Sequence, residues 1–146
     1  MIEVYGNLWD EEWEDYWKVI LTNSSVKTDG RAVMGKGCAL EASLRFPDLP
    51  FDLGFKLQRF GNSVYEWPKF NLMTFPTKYS WWNPSNINLI INSAKQLTVY
   101  ANRNKERKYI LPRPGCGYGG LKWEEVKPEI EGIFPDNVFI ITFKEG

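Results

Sequence analysis

Histidine is absent from all 146 residues. That absence excludes histidine metal ligation, histidine general-base catalysis and every histidine-containing triad. Cysteine occurs twice, at Cys38 and Cys116. Two thiols can assemble neither a four-ligand zinc site nor a disulfide framework, and such sparse use fits a reducing compartment. No metal or cofactor is expected. No apolar run approaches the roughly 18 residues that a membrane helix needs. The N-terminal MIEVYGNLWDEEWEDYW carries acidic residues where a secretory leader would carry basic ones. A cytosolic location without membrane attachment is therefore expected. Net charge is missing too, because 18 Lys and Arg balance 18 Asp and Glu. No global positive field is available to gather nucleic acid, so any anion site must be local.

What is present suits one globular domain spanning residues 1–146, with 43% hydrophobic and 25% charged residues. A chain of this size buries roughly 68–70% of its unfolded surface, enough for a core without staples. Alternation through Ile2 and Val4, stopped by Gly6-Asn7, reads as a first strand. The run Trp17-Lys18-Val19-Ile20-Leu21-Thr22 reads as a buried central strand. Helical spacing follows over residues 38–46, closed by Pro47, and over 49–60, closed by Gly61-Asn62. Residues 63–67 and 70–75 are strand candidates separated by Pro68-Lys69. Asn83-Pro84-Ser85 offers a cap and a first-turn proline before the long helical pattern from Ile87 to Ala101. Residues 109–111 form a short strand, 123–134 a helix interrupted at Pro128, and 138–143 a last apolar strand. Buried strands between amphipathic helices predict a three-layer α/β/α domain around a mixed central sheet.

In such sheets ligands bind outside the carboxyl ends of the strands. Three polar or glycine-rich stretches follow strand candidates there, at residues 22–38, 77–83 and 112–121. The first contains Gly30-Arg31-Ala32-Val33-Met34-Gly35-Lys36-Gly37-Cys38-Ala39 and runs into a helix. The third, Pro112-Arg113-Pro114-Gly115-Cys116-Gly117-Tyr118-Gly119-Gly120-Leu121, does the same. Glycines let backbone amides approach an anion at a helix N-terminus, and two such loops suit a diphosphate. Neither matches the P-loop or the strand-borne GxGxxG pattern.

These segments resemble those of the macrodomains, three-layer α/β modules that bind ADP-ribose. The resemblance covers nearly the whole chain. It rests on Tyr5-Gly6-Asn7-Leu8, Thr22-Asn23-Ser24, Val33-Met34-Gly35-Lys36-Gly37-Cys38-Ala39, Phe75-Pro76-Thr77-Lys78 and Leu111-Pro112-Arg113-Pro114-Gly115-Cys116-Gly117-Tyr118-Gly119-Gly120-Leu121-Lys122-Trp123. The likeness is to the branch holding the terminal ADP-ribose glycohydrolases and the antitoxins that remove ADP-ribose from DNA. It implies adenine near Gly6, Asn7, Leu8 and Phe143, with Asn7 standing where the family usually has aspartate. An asparagine oxygen can still accept from the adenine amine, without charge assistance. The resemblance sets Asn23 at the distal ribose and Gly35, Gly37, Cys38 and Ala39 along the ribose and diphosphate. Gly115, Cys116, Gly117, Tyr118 and Gly119 would cover the diphosphate from the other side.

Lys78 aligns with the lysine that the glycohydrolase branch uses, and a neutral lysine amine can attack an anomeric carbon. Tyr79, Trp81 and Trp82 would strip water from its ammonium and favour the neutral form. A solvated surface lysine would look the same in sequence. The human-type enzymes of the branch carry an acid in the second glycine loop where this chain has Gly119. The resemblance therefore implies a monomeric hydrolase of ADP-ribosyl linkages, on nucleic acid in preference to protein, with Lys78 as nucleophile. A non-catalytic ADP-ribose reader and an ADP-ribose-1″-phosphate phosphatase share the same cleft and stay open.

Overall fold

The computed structural model describes residues 1–143. Its strands are β1 (Ile2–Tyr5), β2 (Trp17–Thr22), β3 (Glu66–Trp67), β4 (Leu72–Pro76), β5 (Tyr109–Pro112) and β6 (Val138–Thr142). They form one sheet in the order β1-β6-β5-β2-β4-β3, in which β3 alone runs antiparallel to its neighbour. The helices are α1 (Gly37–Arg45), α2 (Leu49–Phe60), α3 (Ile87–Arg103) and α4 (Trp123–Ile130). Among the described residues no helix is long and apolar enough to cross a membrane.

The expected three layers are present, and strand alternation explains them. Val19, Leu111 and Ile140 face one side, where Ile90, Ala94 and Leu97 of α3 and Val126 and Ile130 of α4 pack on them. Their sequence neighbours Ile20, Ile110 and Ile141 face the other, against Ala39 and Ala42 of α1 and Leu49, Leu53 and Leu57 of α2. A sheet buried on both faces needs the continuous apolar runs found in β2 and β6.

Five local expectations are corrected. Only Glu66–Trp67 of the 63–67 candidate pairs with β4. Pro68–Phe70 is a 3₁₀ turn, so Phe70 lies outside β4; Asn71 then takes a left-handed φ of 50°, which asparagine tolerates. The cap of α3 is Asn86, whose Oδ1 accepts from Leu89 N at 3.0 Å, while Asn83 Oδ1 accepts from Ser80 N at 3.1 Å and closes the preceding turn. Pro128 lies inside α4 without breaking it, and the helix stops at Ile130, four residues before Phe134. Last, β6 ends at Thr142, so Phe143 follows the strand.

Gly54 in α2 positions the first glycine loop. A Cβ there would come 1.9 Å from the Gly30 carbonyl oxygen, so only glycine lets residues 27–32 lie against the helix. Ala32 N donates to Pro50 O at 2.8 Å across the same contact.

Candidate functional site

The carboxyl ends of β2, β4 and β5 open into one cleft of about 460 Å³. This is the crevice position expected for an α/β sheet whose connections diverge on either side of β2. The first loop supplies Asn23, Val33, Met34, Gly35 and Lys36, and α1 begins at its floor with Gly37, Cys38 and Ala39. The β4 end supplies Thr77 and Lys78, followed by Trp81 and Ser85. The β5 end supplies Arg113, Gly115, Gly117, Tyr118 and Gly119.

The first loop is held from within. Asn23 Nδ2 donates to Val33 O at 3.2 Å, Asn23 Oδ1 accepts from Ser25 N at 2.8 Å, and Val33 N donates to Ser25 O at 2.9 Å. Asn23 therefore lines the cleft and staples its loop at once. Lys36 precedes α1 with no side-chain cap, which leaves the first-turn amides of the helix turned toward the cleft. Lys36 Nζ lies 5.4 Å from the centroid of the Tyr118 ring, joining the two glycine loops across the mouth. Gly37 (φ 58°) and Gly115 (φ 78°) adopt the left-handed backbone that glycine allows.

Charge in the cleft has one sign. Among the described residues, Lys36, Lys78 and Arg113 line it, and no Asp or Glu does. Arg113 is partly committed elsewhere, 4.0 Å from the Glu3 carboxylate and 5.0 Å over the Trp123 ring. Lys78 is half-buried, and its Nζ has no hydrogen bond or ion pair among the described residues. Its backbone is anchored by Asn62 Nδ2, which donates to Lys78 O at 3.1 Å. Of the three aromatic residues near it in sequence, Trp81 lines the cleft, whereas Tyr79 and Trp82 stand in solvent.

Both thiols are poor nucleophiles. Cys38 Sγ accepts from Leu21 N at 3.4 Å, and burial pushes the thiol up to about 11. Cys116 is also raised by burial; it packs toward the core, with its thiol 3.5 Å from Pro114 O, and does not line the cleft.

Gly6, Asn7, Leu8 and Phe143 also lie outside the cleft wall, gathered at the β1–β6 side of the sheet, where Gly6 N donates to Thr142 O at 2.9 Å. Leu8 is buried in the core, and Phe143 is exposed. Asn7 Oδ1 accepts from Trp9 N at 3.1 Å, and Asn7 N donates to Asp10 Oδ2 at 3.0 Å, so its side chain closes a turn.

Sequence reasoning gave no site role of their own to several residues that line the cleft, among them Lys36, Thr77 and Ser85. Ser85 is buried and its Oγ has no partner, while its backbone N donates to Gly119 O at 3.0 Å. A Cβ on residue 119 would come 2.0 Å from that Oγ. Gly119 is thus glycine because Ser85 occupies the space beside it.

No family model matches the chain. A curated relative, the DNA ADP-ribosyl glycohydrolase of Thermus aquaticus, is 34% identical over 119 residues, 74% of the chain. The chain spans about a third of that relative's length, 32%. The solved macrodomain of Thermus aquaticus DarG superposes with a TM-score of 0.73 at 28% identity, covering 99% of the chain and 97% of that structure. Thermosipho africanus DarTG, solved in complex with ADP-ribose, shares the fold with a TM-score of 0.69 at 23% identity, covering 92% of the chain and 40% of that structure.

Proposed function

The chain belongs to the macrodomain family, in the branch of the DarG macrodomains, and we propose that its cleft binds ADP-ribose and hydrolyses ADP-ribosyl linkages on nucleic acid. The observation that carries this reading is Lys78, unpartnered among the described residues, in the same acid-free cleft as two glycine loops and a helix N-terminus. The diphosphate fits the amides at the start of α1 and the 115–119 loop, with Lys36 and Arg113 offsetting its charge. Neighbours named for hydrolysing DNA ADP-ribosylation and for an ADP-ribose complex support the choice of ligand. Residues 1–146 would then make up one macrodomain, working as a monomer in the cytosol.

In the reaction, the lone pair that Lys78 Nζ exposes on giving up its ammonium proton forms a bond to the anomeric carbon of the distal ribose. The bond from that carbon to the leaving group breaks, and its electron pair departs with the leaving group, which takes up the proton that Nζ sheds on forming its bond. Water then adds to the same carbon, the C–N bond breaks with its electron pair returning to Nζ, and Nζ takes up the proton that the water sheds, so the net change is hydrolysis. If the ribose opens during the covalent stage, the carbon is held as an imine, and borohydride would reduce it to a stable amine on Lys78.

Calorimetry should show ADP-ribose binding far more tightly than AMP, which lacks the second phosphate and the distal ribose. No heat from ADP-ribose at millimolar protein would overturn the reading. Turnover of ADP-ribosylated DNA, ADP-ribosylated protein and ADP-ribose-1″-phosphate decides the reaction. Release from DNA is expected, silence on all three would leave a reader, and activity on the phosphate ester alone would leave a phosphatase.

A further inference from the structure

The backbone that carries the cleft lysine is held at every step. Past the end of β4, Thr77 N donates to Thr22 O at 2.9 Å. Each carbonyl from residue 76 to residue 79 then accepts a hydrogen bond. Ser93 Oγ of α3 donates to Pro76 O at 2.7 Å, and Asn86 N, at the cap of α3, donates to Thr77 O at 2.9 Å. Asn62 Nδ2, from the loop after α2, donates to Lys78 O at 3.1 Å, and Ser24 N, from the first cleft loop, donates to Tyr79 O at 3.1 Å. Surface loops leave many such carbonyls to water. Here three separate parts of the chain supply the donors, so the Lys78 backbone is fixed and only its side chain is free to move.

Of these donors only Asn62 meets Lys78 itself, and folding does not explain it. Asn62 Oδ1 is buried with no hydrogen-bond partner, so the donation to Lys78 O is the one hydrogen bond that this side chain makes among the described residues. Leaving a buried amide oxygen unpaired costs as much as an ordinary hydrogen bond returns, or more. An apolar side chain of similar volume would serve the fold as well. The loop that carries Asn62 is itself tied down: the Tyr65 hydroxyl bonds Gly61 O, and Val64 N donates to Gln96 Oε1 of α3 at 2.8 Å. A polar residue kept against the local rule, on a fixed support, marks service to a site.

We propose that Asn62 is a positioning residue for the nucleophile: by holding Lys78 O it fixes where the lysine stem enters the cleft, and so where Nζ meets the anomeric carbon. The role rests on the reading of Lys78 as nucleophile. Attack requires the reacting atoms about 3–3.5 Å apart and aligned, and a misplacement of about 1 Å can cost on the order of a hundredfold in rate. Ground-state binding comes from the glycine loops and does not depend on the position of Nζ.

The test compares the wild type with Asn62→Leu and Asn62→Asp. It measures kcat and KM on an ADP-ribosylated DNA oligonucleotide, ADP-ribose affinity by calorimetry, and melting temperature. Leucine keeps the volume and removes both polar atoms, whereas aspartate keeps the shape and removes the donor. Both variants should lose at least about tenfold in kcat, with KM and ADP-ribose affinity within about twofold of wild type. Asn62→Leu should melt no more than a few degrees below wild type, because the lost hydrogen bond is offset by the unpaired oxygen it removes. Asn62→Gln keeps a donor on a longer stem and should recover part of the lost kcat. If leucine prevents folding, the aspartate variant decides alone. Wild-type kcat in either folded variant would overturn the role, and so would a loss of affinity equal to the loss of kcat. A wild type without turnover, or full turnover in Lys78→Ala, would remove the nucleophile reading and the positioning role with it.

Discussion

Gly117 separates ligand binding from folding at the scale of one residue. A Cβ there meets nothing within 4 Å, although the residue lines the cleft. Gly117→Glu should therefore leave the melting temperature near wild type and abolish ADP-ribose binding in calorimetry, since a carboxylate would stand where a diphosphate is expected. Gly119 behaves oppositely. Restoring an acid with Gly119→Asp would drive a Cβ to 2.0 Å from Ser85 Oγ and 2.6 Å from Gly115 O. That variant should lose ADP-ribose affinity at least tenfold and gain no turnover; increased turnover would show that the loop moves aside freely. Cys38 gives a third measurement. With its thiol pushed up to about 11 by burial, alkylation should be negligible at pH 8 and accelerate only as the pH approaches that value.

Between elements, the contact of α2 with the first loop carries a measurable load. Gly54→Ala would place a methyl 1.9 Å from the Gly30 carbonyl, and overpacking of this kind costs about 1–3 kcal/mol. A melting temperature lowered by several degrees is expected, together with weaker ADP-ribose binding, because the displaced loop leads to Asn23 and α1. Glu3 ties β1 to α4 and the β5 end: it accepts from Lys127 Nζ at 2.7 Å and from Trp123 Nε1 at 3.1 Å. The Lys127 hydrogen bond chiefly holds its carboxyl below the usual range. A carboxylate lowered in the folded state adds stability above its unfolded value and loses it as the pH falls through the folded one. Glu3→Gln should thus melt below wild type at pH 7, with the difference closing below about pH 4; a gap unchanged at acid pH would contradict the assignment.

For the whole molecule, glycine content and apolar runs were enough to read the three layers and the three loops that meet in the cleft. β2, apolar from Val19 to Leu21, and α3, with its regular spacing, are set by local pattern. What stayed hidden depends on contacts distant in sequence. Gly54 reads as a poor helix residue until Gly30 is laid against it, and Ser85 reads as an ordinary residue at a helix start until Gly119 is placed beside it. Asn7 and Phe143, which the family likeness groups with the ligand, stand at the β1–β6 side of the sheet and are not among the residues that wall the cleft. The central claim is that binding resides in the loops and chemistry in Lys78. Its most direct test is Lys78→Ala, followed by release of ADP-ribose from an ADP-ribosylated DNA oligonucleotide and by calorimetry with ADP-ribose on the same preparation. A nucleophile contributes chiefly in the transition state, so turnover should fall at least about a hundredfold while affinity stays within a few-fold. Turnover preserved in the folded variant would contradict the account.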